Sequence, residues 1–327
     1  MYLVGVDIGG TKVSVCLGDL QGNVLDHKRV MTKTLGGPET GLPKILELIG
    51  HLIRDNNLNL QDINAIGMAV PGPISFKKGM MLTPPNMPSW VNVPVRDFFH
   101  NRLERSVFLN NDANAGVLAE WEFGAAKHLD NLVYLTMSTG TGGGIIAGGK
   151  LLQGETDTAG EVGHFVLDSK GPKCPCGQKG CFEVFCGGAN IAHRMQDEIK
   201  QKQIKTLILE EADGRIEKID MKCLTAAVKK DDGYALEIWE EFIDKLAQGI
   251  GILLMTLNPD AIILGTIAFH THELLMAPLK RALAQYAWSM PLDHCRIEES
   301  RLSDQISQLA PLALAIEGLR NVEAQEF

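Results

Sequence analysis

Three cysteines stand close together in the stretch GPKCPCGQKGCFE, at residues 171–183. Cys174 and Cys176 are two residues apart, which is a poor spacing for a disulfide between them and a good one for wrapping a metal ion. Cys181 adds a third sulfur, and the glycines of the stretch would let the chain curl around an ion. The spacing therefore predicts a metal site, with reduced cysteines that bind no metal as the alternative.

A closed tetrahedral Zn²⁺ site needs a fourth ligand. His164 lies ten residues before the first of these cysteines and is the better candidate, while Cys186 is the rival. A zinc ion bound to one nitrogen of His164 would orient the other nitrogen toward a second ligand. Glu161 and Glu183 flank these residues and could accept hydrogen bonds from the hydroxyls of a sugar, or could be plain surface charges.

Two glycine-rich turns repeat one pattern. Residues 2–25 contain two alternating apolar strands on either side of Gly-Gly-Thr-Lys, and residues 133–149 have the same order around a Thr/Gly-rich turn. Gly9 aligns with Gly140, which indicates an internal duplication. Adjacent glycines let backbone N–H groups approach an anion, so the pair of turns predicts a nucleotide phosphate site. Two unrelated hairpins are the alternative.

Asp112 follows a predicted strand and precedes a predicted helix, in the run Asn111-Asp112-Ala113-Asn114-Ala115. A carboxylate at such a junction could take a proton from a substrate hydroxyl. Aspartate before a helix is also a common N-cap, and the two roles can coexist.

Composition limits the class of protein. The chain has 327 residues, a net charge of −9 and 45% hydrophobic residues, which predicts a globular protein of two domains. The acidic balance argues against nucleic-acid binding, and no apolar run is long enough to span a membrane. The N-terminus does not read as a signal peptide, so the cytoplasm is the expected location, with thiols rather than disulfides.

Alternating helices and strands fill the rest of the chain. Apolar periodicity predicts helices over 38–56, 113–122, 233–256 and 308–322, the last with Pro311 in its first turn. Short apolar runs predict strands over 63–70, 106–110 and 261–265.

These motifs together resemble the ROK family of sugar kinases and repressors over nearly the whole chain. The resemblance rests on DIGGTK, NDANA, STGTGGG, GEVGH and CPCGQKGCFE, which begin at residues 7, 111, 138, 160 and 174. It implies an α/β, two-domain actin-like ATPase (ribonuclease H-like) fold with duplicated βββαβα units and an interdomain cleft. Residues 1–115 with 308–327 would form the smaller N-terminal domain, and 116–307 the larger domain that carries the zinc loop.

The resemblance also implies roles for single residues. Asp112 matches the catalytic base on the sugar 6-hydroxyl, and Asp7 the Mg²⁺ position. Further positions match residues that contact the sugar: Gly72, Asn86, Asn111, Glu161, His164 and Glu183. The zinc ligands correspond to His164, Cys174, Cys176 and Cys181. The phosphate-binding positions correspond to Gly9, Gly10, Thr11, Lys12, Thr139, Gly140, Thr141, Gly142 and Gly143, and Gly265 lies near the adenosine.

One motif departs from the family. After the strand AIILG the family usually has further glycines, whereas this chain reads Gly265-Thr266-Ile267. In the family the backbone usually approaches the adenosine closely at this point. A side chain there would affect the affinity for the nucleotide or the choice of nucleotide base.

The resemblance implies an ATP-dependent hexose kinase with Mg²⁺ and a structural Zn²⁺, most like a glucokinase because Pro-Asn-x-Pro-x-Trp occurs at residues 85–90. Kinases of N-acetylmannosamine or N-acetylglucosamine share the other motifs. A sugar-responsive regulator or sensor with weak kinase activity is the alternative of another class. Family repressors carry a helix-turn-helix domain before the first strand, which here begins at residue 2. The expected partners are a sugar and a nucleotide, with no nucleic acid or membrane, in a dimer or tetramer.

Overall fold

The computed structural model describes residues 1–302 and 304–324 of the chain. The protein divides into two compact units. The first unit comprises Met1–Leu129, Gly144–Gly160 and Arg301–Phe327, and the second comprises Asp130–Gly143 and Glu161–Ser300.

These units differ from the domain limits inferred from the sequence. Residues 116–129, 144–160 and 301–307 group with the first unit, whereas the sequence analysis placed them in the larger domain. Residues 116–122 belong to a helix that packs beside the C-terminal helix in the first unit, and this accounts for part of the difference. As limits of separate domains, 1–115 with 308–327 and 116–307 stay a prediction.

A five-stranded sheet is the centre of the first unit. The strands of residues 1–129 are β1 (Tyr2–Ile8), β2 (Lys12–Asp19), β3 (Val24–Met31), β4 (Ile63–Val70), β5 (Ile74–Ser75), β6 (Met80–Met81) and β7 (Ser106–Asn111). The sheet has the order β3-β2-β1-β4-β7, and β5 pairs with β6. β1 is antiparallel to β2 and parallel to β4, and β4 is parallel to β7. The carboxyl ends of β1, β4 and β7 therefore lie at one edge of this sheet.

Helices follow the strands in the first unit. They are α1 (Pro38–Asp55), α2 (Val95–Leu103) and α3 (Asp112–Glu122), with 3₁₀ turns at Thr32–Thr34 and Leu60–Asp62. α1 begins with Pro38, which suits the first position of a helix because its missing N–H would be unpaired there anyway. Its buried residues recur at helical spacing and include Leu42, Ile45 and Ile49.

A second sheet repeats the topology of the first. Its strands are β8 (Leu132–Met137), β9 (Thr141–Ala147), β10 (Lys150–Leu151), β11 (Ala261–Leu264) and β12 (Arg296–Glu299). Their order is β10-β9-β8-β11-β12, so both sheets place their strands third, second, first, fourth, fifth along the chain. The duplication predicted from the two glycine-rich turns is confirmed. The division between the units falls within β9, after Gly143.

The helices of residues 161–300 form two groups along the chain, one before β11 and one after it. The group before β11 is α4 (Phe182–Cys186), α5 (Gly188–Lys202), α6 (Leu207–Glu211), α7 (Met221–Val228) and α8 (Gly233–Leu257), with 3₁₀ turns at Val162–His164 and Ile216–Lys218. The group after it is α9 (Thr266–His270), α10 (His272–Leu283) and α11 (Ser289–His294). Within residues 1–302 and 304–324, the helices are too short or too polar to cross a bilayer.

The final described helix, α12 (Ile306–Glu323), packs on one face of the first sheet. It begins two residues before the predicted start, so Pro311 lies in its second turn and not in its first. The sheet face beneath it carries glycines. A Cβ atom on Gly67 would lie 1.7 Å from the carbonyl oxygen of Pro311, and one on Gly18 would lie 2.6 Å from Leu312. The helix backbone therefore approaches the sheet more closely than any side chain would allow.

The opposite face of the same sheet is bulky. Val4, Val6, Val13 and Val15 belong to a buried cluster that also contains Ile45 and other residues of α1. Because side chains alternate along a strand, this division into a small face and a large face follows directly from the sequence of each strand.

We expect Gly67→Ala to lower the free energy of unfolding by roughly 3 kcal/mol, since the added methyl group meets backbone atoms that cannot move aside. Urea denaturation measures this change. Gly233→Ala is the control, because a Cβ at Gly233 has no neighbour within 4 Å and should change stability by less than about 0.5 kcal/mol. Equal stabilities of the two variants would contradict the close approach.

Candidate functional site

The first glycine-rich turn connects β1 and β2. The amide of Gly9 donates to the carbonyl oxygen of Lys12 at 2.9 Å, and the hydroxyl of Thr32 donates to the carbonyl oxygen of Gly9 at 2.6 Å. A Cβ on Gly10 would lie 2.8 Å from the Cβ of Asn86. The turn thus needs glycine to pack against Asn86, and it leaves Thr11 and Lys12 exposed.

Asp7, at the end of β1, is half-buried, and its carboxyl is electrostatically coupled to that of Asp112. Burial, followed by the negative charge of Asp112, raises the pKa of Asp7 to about 7 against the attraction of Lys12 and Arg29. Two carboxyl groups that interact in this way attract a cation, since a cation would favour the charged form of both.

Asp112 is the first residue of α3, and its side chain is exposed. The N-cap of α3 is Asn111, whose side-chain oxygen accepts a hydrogen bond from the amide of Asn114 at 2.7 Å. The interpretation of Asp112 as the N-cap is therefore wrong. A neighbouring asparagine caps the helix, so that role does not require the carboxyl of Asp112.

Asn110 stabilises the same turn, and the sequence analysis did not identify it. Its Oδ1 accepts hydrogen bonds from the amide of Asn111 and from Nδ2 of Asn114, both at 2.9 Å. Three asparagines around one aspartate could have indicated a side-chain-stabilised turn, because asparagine side chains commonly bond to nearby backbone in turns.

Gly72 lies two residues beyond β4 and is half-buried.

In the second unit, Glu183 lies against the second glycine-rich turn. The amide of Thr141 donates to Oε2 of Glu183 at 3.3 Å, and a Cβ on Gly140 would lie 2.4 Å from the same oxygen. The amide of Gly188 donates to the carbonyl oxygen of Ser138, and that of Ala189 to the carbonyl oxygen of Thr139. The start of α5 and the carboxylate of Glu183 together position the turn that contains Gly142 and Gly143.

Glu161 and His164 belong to the segment that ends in the turn Val162–His164. Gly163 allows this turn to approach β9, since a Cβ there would lie 1.9 Å from the carbonyl oxygen of Thr141. Burial raises the pKa of Glu161, the positive charge of His164 lowers it, and the charge of Glu183 raises it again. The carboxyl of Glu161 therefore interacts electrostatically with the other two side chains predicted to bind the same ligand.

Four potential metal ligands meet in the second unit. One ligand atom from each of His164, Cys174, Cys176 and Cys181 lies within 4.8 Å of all the others. Sγ of Cys176 is 3.6 Å from Sγ of Cys181, and Sγ of Cys174 is 3.7 Å from Nδ1 of His164. Ligands around a tetrahedral zinc ion are separated by about 3.5 to 3.8 Å, so the spacing fits.

Cys186, the rival fourth ligand, is not in this group. It lies fully buried at the end of α4, and burial raises the pKa of its thiol well above the usual value. A hydrogen bond from the backbone of Gln178 lowers the pKa of the Cys176 thiol, whereas burial raises the pKa of Cys174 and of Cys181, so distances and not pKa values separate the ligand group from Cys186.

The departure at Gly265-Thr266-Ile267 has a structural explanation. The side chain of Ile267 is buried, and a Cβ on Gly188 would lie 3.5 Å from its Cδ1 atom. Gly265 donates from its amide to the carbonyl oxygen of Leu135 at 2.8 Å. The isoleucine therefore packs into the second unit and does not project from it.

The residues predicted to act together fall into two groups. The first unit contains Asp7, Gly9, Gly10, Thr11, Lys12, Gly72, Asn86, Asn111 and Asp112. The second unit contains Thr139, Gly140, Thr141, Gly142, Gly143, Glu161, His164, Cys174, Cys176, Cys181, Glu183 and Gly265.

We expect Asp7→Asn to stabilise the protein at pH 8. The folded protein holds the Asp7 proton up to about pH 7, against 3.8 for the free side chain, so its stability falls as the pH rises between these values. The variant avoids this loss in the free energy of unfolding, which amounts to at most about 4 kcal/mol. Urea denaturation at several pH values measures it, with the exposed Asp97→Asn as control. A constant difference between wild type and Asp7→Asn down to about pH 4 would contradict the raised pKa.

Known proteins resemble this chain along most of its length. A glucokinase of Thermotoga maritima is 36% identical over 286 residues, which cover 88% of each chain. A xylose repressor of Caldicellulosiruptor bescii is 28% identical over 314 residues, which cover 96% of this chain and 78% of the repressor. The crystal structure of a ROK family glucokinase from Streptomyces griseus, in complex with glucose and AMPPNP, has a TM-score of 0.82 and 26% identity over 97% of this chain and all of that one.

These similarities confirm the actin-like ATPase fold predicted from the motifs. They also reach beyond single motifs, because residues 3–317 match the ROK family as a whole. The chain therefore belongs to the ROK family.

Proposed function

We propose that the protein is an ATP-dependent hexose kinase that transfers the γ-phosphoryl group to the 6-hydroxyl of glucose. The observation that carries this proposal is the exposed carboxylate of Asp112 at the start of α3, in a turn held by three asparagine side chains. The identity of 36% to a glucokinase agrees with it. Because Asn111 caps the helix, the carboxylate of Asp112 can accept the proton of a sugar hydroxyl without loss of the cap.

The sugar would be bound by groups that exchange hydrogen bonds with hydroxyls. Asn86 and Asn111 would contribute from the first unit, where the small Gly72 leaves room for the ring. Glu161 and Glu183 would accept hydrogen bonds from hydroxyls in the second unit. His164 would present Nε2, since Nδ1 is the atom near Cys174.

The nucleotide phosphates would be bound by the two glycine-rich turns. Gly9 to Lys12 offer a hydroxyl and a positive charge, and Thr139 to Gly143 offer backbone amides that can approach an anion. Asp7 would hold Mg²⁺ through its hydration shell, and the coupling of its carboxyl to that of Asp112 favours a cation there. When bound, the cation supplies positive charge that stabilises the transferring phosphoryl group. The protein's own part is to align donor and acceptor.

A structural zinc ion would complete the second group. His164, Cys174, Cys176 and Cys181 have the number, type and spacing of ligands for a closed tetrahedral site. The ion would connect the segment of Glu161 and His164 to the loop of residues 171–183, whose end carries Glu183. Its role is to position two sugar-binding carboxylates, and it takes no part in the transfer of the phosphoryl group.

A second candidate function is a sugar-responsive regulator. The xylose repressor of Caldicellulosiruptor bescii, which matches 96% of this chain, favours it. A regulator would bind a sugar without appreciable turnover, so sugar-dependent ADP formation separates the two functions. Assembly as a dimer or tetramer stays a prediction from the resemblance, and a cytoplasmic location stays a prediction from the N-terminal sequence.

We expect ADP formation with ATP and Mg²⁺ to be fastest with glucose in a panel that includes mannose, fructose, N-acetylglucosamine and N-acetylmannosamine. Asp112→Asn should reduce kcat by about 10² to 10⁴-fold with sugar binding retained. Asp97→Asn, which changes another aspartate in the first turn of a helix, is the control and should keep normal activity. Near-normal turnover of Asp112→Asn would refute the role of Asp112 as the general base. No turnover of the wild type, despite sugar binding, would favour the regulator.

We expect elemental analysis to find about one zinc per chain, because the four ligands form a closed site. Cys176→Ala should lose the metal on dialysis against a chelator and should unfold at a lower temperature. Cys223→Ala, outside the ligand group, should retain it. Wild-type protein that is fully folded without zinc would contradict the structural role.

A further inference from the structure

A cavity of about 300 Å³ lies in the first unit, beside the outer edge of β7. β7 is the last strand of its sheet and pairs with β4, so its other edge borders the cavity. The walls are apolar and come from Phe76, Phe108, Leu118, Leu151 and Leu314. This volume is at the lower end of the range for small-molecule sites.

Asn110 gives the cavity a buried polar group. The residue is 2% exposed and lines the cavity. Its Oδ1 accepts two hydrogen bonds, whereas its Nδ2 donates none to the described residues. Asn110 Nδ2 is not among the buried atoms of the described residues that lack a partner, so it can donate to a ligand oxygen placed beside it in the cavity.

The mouth of the cavity is polar and includes Lys150, Gln153 and Glu317. One carboxylate oxygen of Glu317 accepts a hydrogen bond from Asn321 at 3.1 Å. Lys150 is exposed and makes no ion pair within residues 1–302 and 304–324. The donor inside suits a ligand oxygen. At the mouth the ammonium group of Lys150 attracts an anion and the carboxylate of Glu317 repels it, so an anion with one apolar end would be bound on the Lys150 side.

We propose that this cavity is a second small-molecule site, which binds a small organic acid with an apolar body. The carboxylate would accept from Nδ2 of Asn110 and lie near Nζ of Lys150, and the body would contact Phe108 and Leu314. None of these residues belongs to the proposed sugar and nucleotide sites.

The occupant would act on the turn that carries Asp112. The oxygen and nitrogen of the Asn110 amide lie in one plane, so an acceptor at Nδ2 fixes the orientation of Oδ1. Oδ1 bonds to the amide of Asn111 and to the side chain of Asn114, which cap and begin α3. Ligand binding therefore favours the conformation of the turn in which Asn110 bonds to Asn111 and Asn114. Asn110 is a positioning residue for Asp112. This coupling rests on the proposed kinase function, but the binding does not.

Benzoate is the probe, and isothermal titration calorimetry or ligand-observed NMR measures its binding. Gln153→Trp should fill the mouth of the cavity and weaken binding by at least about tenfold. Leu152→Trp adds the same side chain at the neighbouring, exposed position and should change binding by less than about twofold. Lys150→Met should weaken the binding of benzoate severalfold. It should leave the binding of toluene, which has no carboxylate, unchanged. Equal benzoate binding by the two tryptophan variants, or none by the wild type, would overturn the site.

Sugar-dependent ADP formation tests the coupling. Saturating benzoate should raise kcat in the wild type and in Leu152→Trp, and it should have no effect on Gln153→Trp. An unchanged kcat with benzoate bound would overturn the coupling. Binding of benzoate in the cavity without phosphorylation of any sugar would refute the proposed kinase function and would still support the proposed binding site.

Discussion

The close approach of α12 to the first sheet is the constraint on which the first unit depends. The backbone of the helix lies against Gly67, where even one added carbon would meet a carbonyl oxygen at 1.7 Å. Gly318 on the helix in turn faces the ring of Phe108 in β7. All five strands of this sheet contact α12, and that packing places the strand ends that carry Asp7 and Asn110.

Much of this arrangement could be predicted from local sequence. Alternation of apolar residues identified β1 and β2, and short apolar runs identified β4 and β7 within a residue or so. The duplicated sheet followed from two turns, since glycine is needed wherever backbone approaches backbone or an anion. The cysteine ligands followed from spacing, because Cys174, Cys176 and Cys181 lie within eight residues of one tight loop.

Other features could not be predicted, because they depend on contacts between distant segments. The sequence favoured His164 over Cys186 as the fourth ligand, and the structure adds the physical reason, since Cys186 is buried at the end of α4 outside the ligand group. The hydrogen bond from Thr141 to Glu183 joins residues 42 positions apart. At the departure from the family motif the side chain of Ile267 lies in the interior and that of Thr266 is half-buried, while the effect of the departure on the nucleotide stays a prediction. A motif specifies which residues matter, but the direction of a side chain is set by what surrounds it.

The packing of α12 also has a consequence during synthesis. The thiol of Cys16 in β2 donates to the carbonyl oxygen of Gln308, 292 residues further along the chain. At translation rates of about 5 to 20 residues per second, β2 would wait roughly 15 to 60 seconds for the helix that covers it. During this interval the glycine-lined face stays open while the rest of the chain emerges from the ribosome. β2 is therefore synthesised well before the helix that completes its final surroundings.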